Sequence, residues 1–197
     1  MHKGRLEAFS DGVFAIIITI MVLELKVPHG GERDSLKPLL PVIVSYILSF
    51  IYIGIYWNNH HHMMHAVQSI NGKILWANLH LLFWLSLIPF VTAWMGENHF
   101  AKATIALYGF VLFMNGVAYS ILSTSLIRRD GKDSALGVAV GDGKKGKISI
   151  AIYLAAILLS LVNSWISFAL YVIVAAMWFI PDRRIEQKLD HNDHIKT

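Results

Sequence analysis

The chain has 197 residues, of which 55% are hydrophobic and 15% are charged, and its mean hydropathy is +0.53. Soluble domains carry roughly 25% charged residues, so this composition excludes a soluble protein and predicts a membrane protein. The net charge of +4 is expected to face the cytoplasm and anionic lipids, so no nucleic acid partner is expected. Because the chain contains no Cys, disulfides and thiolate chemistry are excluded.

The hydrophobic pattern predicts an all-α integral membrane protein that forms a single domain over residues 1–197, since each crossing needs about 20 apolar residues. Six transmembrane helices are predicted at residues 9–26, 37–58, 74–95, 102–126, 147–163 and 165–181, with a short tail at 182–197. The first span is expected to stay in the protein, because no small-residue cleavage site follows it. Pro38 and Pro41 suit the opening turn of the second helix.

Turn-forming residues separate the later spans. Residues 96–99 form a tight connection between the third and fourth spans. The glycine-rich segment 128–147 is predicted to be a flexible loop. Asn163 and Ser164 interrupt an otherwise overlong apolar run, which predicts a hairpin turn between the fifth and sixth spans.

The distribution of basic residues predicts the orientation. If both termini share one side, that side holds 13 of the 17 Lys and Arg residues. The positive-inside rule therefore places both termini, including the tail at 182–197, in the cytoplasm. Tryptophans fall toward the predicted helix ends, as an interfacial aromatic belt requires: Trp57, Trp76, Trp94, Trp165 and Trp178.

The first span begins with charged residues that need partners. Arg5 and Asp11 are nearly two helical turns apart, so they are not an adjacent pair, and each is expected to find a partner on a neighbouring helix. The alternative is that Asp11 simply flanks a helix at the membrane surface. Polar candidates for a partner follow the second span and begin the third: Trp57, His60, His61 and Asn78.

The order Arg-x-x-x-Phe-Ser-Asp at the start of a first span resembles the signature of the transmembrane protein 175 family, the endosomal and lysosomal potassium channels with their prokaryotic relatives. The residues that carry the resemblance are Arg5, Phe9, Ser10, Asp11, Trp57, His60, His61, Asn78 and Pro89. The resemblance covers one six-helix repeat. It implies a potassium-permeable channel in a bacterial or archaeal inner membrane, without the usual filter loop and with potassium as the permeant ion rather than a cofactor.

The resemblance also implies a homotetramer in which the first helix of each subunit lines a central pore. Ile16 matches the family's constriction, five residues beyond the motif aspartate, and Thr19 and Leu23 match further pore-lining positions. Ile20 takes the place of Thr19 if the helix is rotated. Rings of branched apolar side chains gate by dewetting, which favours the weakly hydrated potassium ion and gives moderate selectivity over sodium. The same helical spacing is also typical of ordinary core packing.

The resemblance further implies that the motif residues position the first helix. Arg5 and Asp11 would bond to the second and third helices through Trp57, His60 or His61, and Asn78. Outside the motif, Glu24 either contributes to an acidic vestibule or pairs with a basic residue of a neighbouring subunit.

Other functions remain as alternatives. Asp11 is a protonatable group, so a small proton-coupled transporter is the second candidate. The histidines at positions 60, 61, 62, 65 and 80 raise haem or metal binding as a third, although their crowding at one boundary disfavours both. No metal is therefore expected. An enzyme is not expected either, because the sequence has no nucleophile elbow and no phosphate-binding glycine loop.

Overall fold

The computed structural model describes residues 3–67, 69–131, 133–140 and 143–179, and these residues form helices and connections without a β-strand. The helices are α1 (Lys3–Leu23), α2 (Leu40–Ala66), α3 (Gly72–Ser86), α4 (Ile88–Glu97), α5 (Lys102–Asp130), α6 (Ala135–Val140), α7 (Lys144–Leu159) and α8 (Ser164–Phe179). A 3-10 helix over Arg33–Leu39 precedes α2. The expected all-α fold is confirmed.

Helix α1 begins six residues earlier than predicted and ends at Leu23 rather than at residue 26. The prediction of 9–26 followed hydropathy alone. The opening residues 3–8, however, include Lys, Arg, Leu, Glu and Ala, which are strong helix formers. The charged motif therefore lies within the helix, so its residues have fixed helical positions.

The third predicted span is two helical segments. Helix α3 ends at Ser86, Leu87 is a turn residue, and α4 starts at Ile88 with Pro89 in its first turn. Proline has no N–H to donate and its ring crowds the preceding turn, which explains the break. The side chain of Asn71 caps α3 by accepting a hydrogen bond from the Ile74 N–H at 3.0 Å.

The prediction of a flexible loop at 128–147 was wrong in part. Helix α5 continues to Asp130, and the six residues of α6 form a further turn and a half of helix. Gly131, with φ of 97°, ends α5 in a conformation that favours glycine. Gly143, with φ of 62°, precedes the first residue of α7, so Gly131 and Gly143 lie at helix ends, whereas Gly137 and Gly146 lie within helices.

Among the residues that the structure describes, four helical units are long and apolar enough to span a membrane: Lys3–Leu23, Asp34–Ala66, Gly72–Glu97 and Lys102–Asp130. Helices α7 and α8 have 16 residues each and are joined by a turn at 160–163, where the sequence predicts a hairpin. That α7 and α8 each cross the membrane, which would bring the number of spans to six, therefore stays a prediction. Residues 180–181 of the sixth predicted span and the tail at 182–197 lie outside the described residues.

Glycines allow two close helix contacts that hold the bundle together. A Cβ at Gly96 would lie 2.7 Å from the Cα of Val42, so α4 and α2 nearly touch there. A Cβ at Gly109 on α5 would overlap the hydroxyl of Tyr171, which is buried on α8 and donates to the carbonyl of Ile105 at 3.1 Å. Backbones approach closely where residues are small, as is common between membrane helices.

Buried hydroxyls link the central helices. The hydroxyls of Thr92 on α4 and Ser49 on α2 are 2.7 Å apart, and Ser49 is 3.0 Å from the hydroxyl of Tyr108 on α5. Tyr52 donates to the backbone carbonyl of Tyr171 at 2.7 Å. Polar side chains buried in a bundle are expected to be hydrogen-bonded, and these bonds fix the positions of α2, α4, α5 and α8 around which α1 is placed.

Candidate functional site

Helix α1 has one buried face and one exposed face. Leu6, Ser10, Phe14, Ile17 and Met21 form a buried stripe at helical spacing. Only 28% of the span is buried in the single chain, so most of its surface has no protein partner. The buried side chains and the exposed side chains of α1 therefore lie on different faces of the helix.

The four residues predicted to line a pore all lie on the exposed face. Ile16 is 59% exposed, Leu23 is 75% exposed and Ile20 is 42% exposed. Thr19 is also exposed, and its hydroxyl donates to the carbonyl of Ala15 at 2.8 Å. Because the hydroxyl proton is used within the helix, the lone pairs of Thr19 are left to accept from, or coordinate, a group outside the chain. Thr19 and Ile20 are both available as lining residues.

A chain of hydrogen bonds ties the first half of α1 to α3 and α2. Ser10 donates to the carbonyl of Leu6 at 2.9 Å and accepts from the side-chain amide of Asn78 at 3.0 Å. The carbonyl oxygen of that amide is 2.8 Å from Nε2 of His60. Ser10, Asn78 and His60 are fully buried. Three helices therefore meet at one asparagine.

The direction of each bond in this chain follows from the first one. Since the only proton of the Ser10 hydroxyl goes to Leu6, Ser10 must accept from Asn78, which places the amide nitrogen toward Ser10. The amide oxygen then accepts from Nε2 of His60. Nδ1 of His60 has no hydrogen-bond partner among the described residues, and the ring packs 5.6 Å from that of Phe14. His60 therefore donates to Asn78 through Nε2 in this network.

A second set of contacts joins α1 directly to α2. The indole N–H of Trp57 donates to a carboxylate oxygen of Asp11 at 3.1 Å. Glu7 is 3.7 Å from Nδ1 of His61, whose ring stacks on Trp57 at 5.9 Å. The residue numbers on α1 increase from 7 to 11 while those of their partners on α2 decrease from 61 to 57, so the two helices are antiparallel here.

Arg5 and Phe9 differ from the other motif residues. Both are exposed, and within the described part of the chain no hydrogen bond or ion pair joins Arg5 to α2 or α3. The expected bonds from Arg5 to Trp57, His60, His61 or Asn78 are therefore not formed in the single chain. Because Arg5 projects from the exposed side of α1, its side chain is turned away from those helices.

Sequence reasoning missed three contacts of α1. Lys3 donates to the carbonyls of His65 at 3.1 Å and Val67 at 2.9 Å, which caps the end of α2. Glu7 and Phe14 also contact α2, as given above. The spacing in the sequence could have predicted the contact of Glu7. Glu7 and Asp11 are four residues apart, as are their partners at 57 and 61, so two antiparallel helices bring both pairs into contact.

The remaining polar candidates lie apart from this network. His80 accepts from the indole of Trp84 on its own helix at 3.0 Å. Across the described ranges, no group of three or more His, Asp or Glu side chains is arranged to hold a metal ion. Glu24 is exposed just beyond α1, and neighbouring Lys26 pairs with Glu97 of the same chain. The hydrogen bond with Glu97 raises the pKa of the Lys26 ammonium above its ordinary value.

Comparison with known proteins identifies relatives along the whole chain. The family model described as "Endosomal/lysosomal potassium channel TMEM175" matches residues 5–89. A protein named as a potassium channel from Chryseobacterium sp. (strain P1-3) is 55% identical over 98% of this chain and 100% of its own length. Another potassium channel, from Chamaesiphon minutus, is 30% identical over 88% of this chain and 92% of its own length.

The fold also matches a solved structure. The crystal structure of "a lysosomal potassium-selective channel TMEM175 homolog" from Chamaesiphon minutus superposes with a TM-score of 0.78. It is 30% identical in sequence, and the match covers 90% of this chain and 96% of that one. The similarity therefore extends beyond the motif helices to α7 and α8.

Proposed function

Because this chain belongs to the TMEM175 family of potassium channels, we propose that it is a potassium-permeable cation channel whose pore is lined by α1 of each subunit. It is a multi-pass membrane protein. One observation carries the assignment of the pore: α1 is anchored through its motif side, while the opposite apolar face has no partner in the single chain.

The chemistry of the exposed face suits a hydrophobic gate. Copies of Ile16 around an axis would form a ring of branched apolar side chains, and Leu23 would form another two turns along. A narrow apolar ring does not hold a continuous water column, so ions cross only when it widens. The cost of removing water is lower for potassium than for sodium, which supports moderate selectivity.

Thr19 adds oxygen atoms between these rings. Its hydroxyl proton is donated to Ala15, so its lone pairs are available to a cation passing along the axis. Four such oxygens would partly replace the hydration shell of potassium. Ile20 stays the alternative for this layer if α1 is rotated by about 100°.

The pore requires several copies of the chain, and the resemblance favours a homotetramer. We place the channel in a prokaryotic inner membrane with both termini in the cytoplasm, on the excess of basic residues at that side. In this proposal, Ser10 and Asp11 position α1 through Asn78, His60, Trp57 and His61. Conduction needs no cofactor, and potassium is the permeant ion.

The test is the reversal potential of the purified protein in a planar bilayer under opposing potassium and sodium gradients. A shift toward the potassium equilibrium potential supports the channel. If folded, oligomeric protein instead shows saturable, proton-dependent uptake with no ohmic current, the proton-coupled transporter with Asp11 as carrier replaces this proposal. A Soret band in the purified protein would favour the haem alternative.

A further inference from the structure

An ion pair lies at the end of α1 opposite the Asp11 network. Nζ of Lys26, three residues beyond the helix, is 2.5 Å from Oε1 of Glu97, the last residue of α4. The two residues are 71 positions apart in sequence, so the pair joins separate elements. Leu23, the outermost of the proposed pore-lining residues, is the last residue of α1 and lies three positions before Lys26.

The position of Glu97 explains why it needs a cation. The carbonyls at the C-terminus of a helix carry partial negative charge, so a carboxylate there is unfavourable unless a cation is close. Lys26 provides that cation to α4. The attraction therefore favours the observed separation between the end of α1 and the end of α4.

Helix α4 is a fixed point for this contact. Gly96, next to Glu97, packs so closely on α2 that an added Cβ would lie 2.7 Å from the Cα of Val42 and 2.5 Å from the hydroxyl of Ser45. The end of α4 thus cannot move toward α2 without a steric clash. A bond to Glu97 is consequently a bond to the rigid part of the bundle.

The outer half of α1 has no other polar attachment within the described ranges. The side-chain bonds that join α1 to other helices start from residues 3–11, and the hydroxyl of Thr19 bonds within α1 itself. Beyond residue 11, α1 is held by apolar packing of its buried stripe, which includes Ile17 and Met21. Apolar contacts between helices permit sliding and rotation more readily than a directed ion pair.

We propose that the Lys26–Glu97 ion pair positions the outer end of the pore-lining helix and thereby controls the channel's open probability. This inference rests on the proposed function of α1. Lys26 and Glu97 are positioning residues that act through α1. Loss of the pair releases the outer end of α1, which redistributes the channel between conducting and closed conformations.

The experiment is a charge-reversal cycle in single-channel recordings with potassium: Lys26→Glu, Glu97→Lys, and the double variant with both. Exposed ion pairs make small contributions, so each single reversal is expected to change the open probability about two- to five-fold, in the same direction. The double variant restores the pair with opposite polarity and is expected to return the open probability toward the wild-type value.

Surface charge alone predicts a different pattern. A charge near the mouth changes the local potassium concentration, so the two single reversals would change conductance in opposite directions and leave the open probability unaltered. That pattern would overturn the proposal, as would single reversals that match the wild type in both quantities. If a reversal variant does not fold, Lys26→Met and Glu97→Gln each remove the ion pair; both should change the open probability in the same direction, and their double variant should change it no further than a single variant does.

A matched control is available at the same end of the molecule. Asp34 and Lys37 form an exposed ion pair at 2.8 Å within the 3-10 helix, so their bond joins no separate helices. Reversing both of these charges should leave the open probability unchanged, and an equal effect there would contradict a specific role for the Lys26–Glu97 pair. Absence of potassium current in the wild type would instead reject the proposed function.

Discussion

Replacement of Asn78 by leucine tests the network at its centre. The two side chains have the same number and branching of heavy atoms, so the change removes the amide without leaving a cavity. Asn78 donates to Ser10 at 3.0 Å and accepts from Nε2 of His60 at 2.8 Å. Ser10 keeps its bond to the carbonyl of Leu6 in the variant, whereas His60 loses its hydrogen bond and stays fully buried.

The expected decrease in the free energy of unfolding follows from the hydrogen bonds that Asn78→Leu removes. A buried donor left without a partner costs about 1–3 kcal/mol, and the lost bond to Ser10 adds about 0.5–1.5 kcal/mol. Asn78→Leu should therefore reduce the free energy of unfolding by about 1.5–4.5 kcal/mol. Ser10→Ala leaves His60 paired, but the buried amide N–H of Asn78 loses its acceptor, so its cost should be about 1–3 kcal/mol.

The assay is reversible unfolding in mixed micelles with increasing SDS, followed by circular dichroism. The double variant His60→Leu with Asn78→Leu removes both partners, so its cost should be at least about 1 kcal/mol below the sum of the single costs. Additive costs in this cycle, or an Asn78→Leu protein as stable as the wild type, would refute the network.

Three further predictions concern α1 and the glycine contacts. Ile16→Asn should raise single-channel potassium conductance, because a polar ring keeps water in the constriction; an unchanged conductance would count against Ile16 as the narrow point. Asp11→Ala should reduce the yield of assembled oligomer in size-exclusion chromatography, whereas Asp11→Asn keeps an acceptor for its indole partner and should assemble; a normally assembled and conducting alanine variant contradicts this role. Gly109→Ala should destabilise the protein by about 1–3 kcal/mol because the methyl group overlaps Tyr171. Gly116→Ala, on the same helix, meets neighbours at 3.6 Å and should be neutral or stabilising in the same unfolding assay.

The amino-acid pattern was sufficient for the class of the fold and for the location of most helices. Membrane helices require long apolar segments whatever their neighbours are, so composition and hydropathy predict them directly. Helix ends were less predictable. The start of α1 follows helix propensity, and the break before α4 follows the missing N–H of Pro89, neither of which hydropathy measures.

The candidate site was likewise predictable from the sequence only in part. The motif order and its resemblance to a family identified Ser10, Asp11 and Asn78 as residues of interest, because those features are local in sequence. Which side chains meet depends on the relative rotation and direction of three helices. That arrangement pairs Asp11 with Trp57, unites Ser10, Asn78 and His60, and leaves Arg5 exposed.

Composition and hydropathy therefore predict an all-helical membrane protein with a polar motif at the start of α1. The packing of the helices places the motif side of α1 against α2 and α3 and leaves its apolar face without a partner in the single chain. The ion pair between Lys26 and Glu97 also depends on the tertiary structure, since its residues are 71 positions apart. The physical reason is that periodicity defines the faces of one helix, whereas packing against the other helices selects which face is buried.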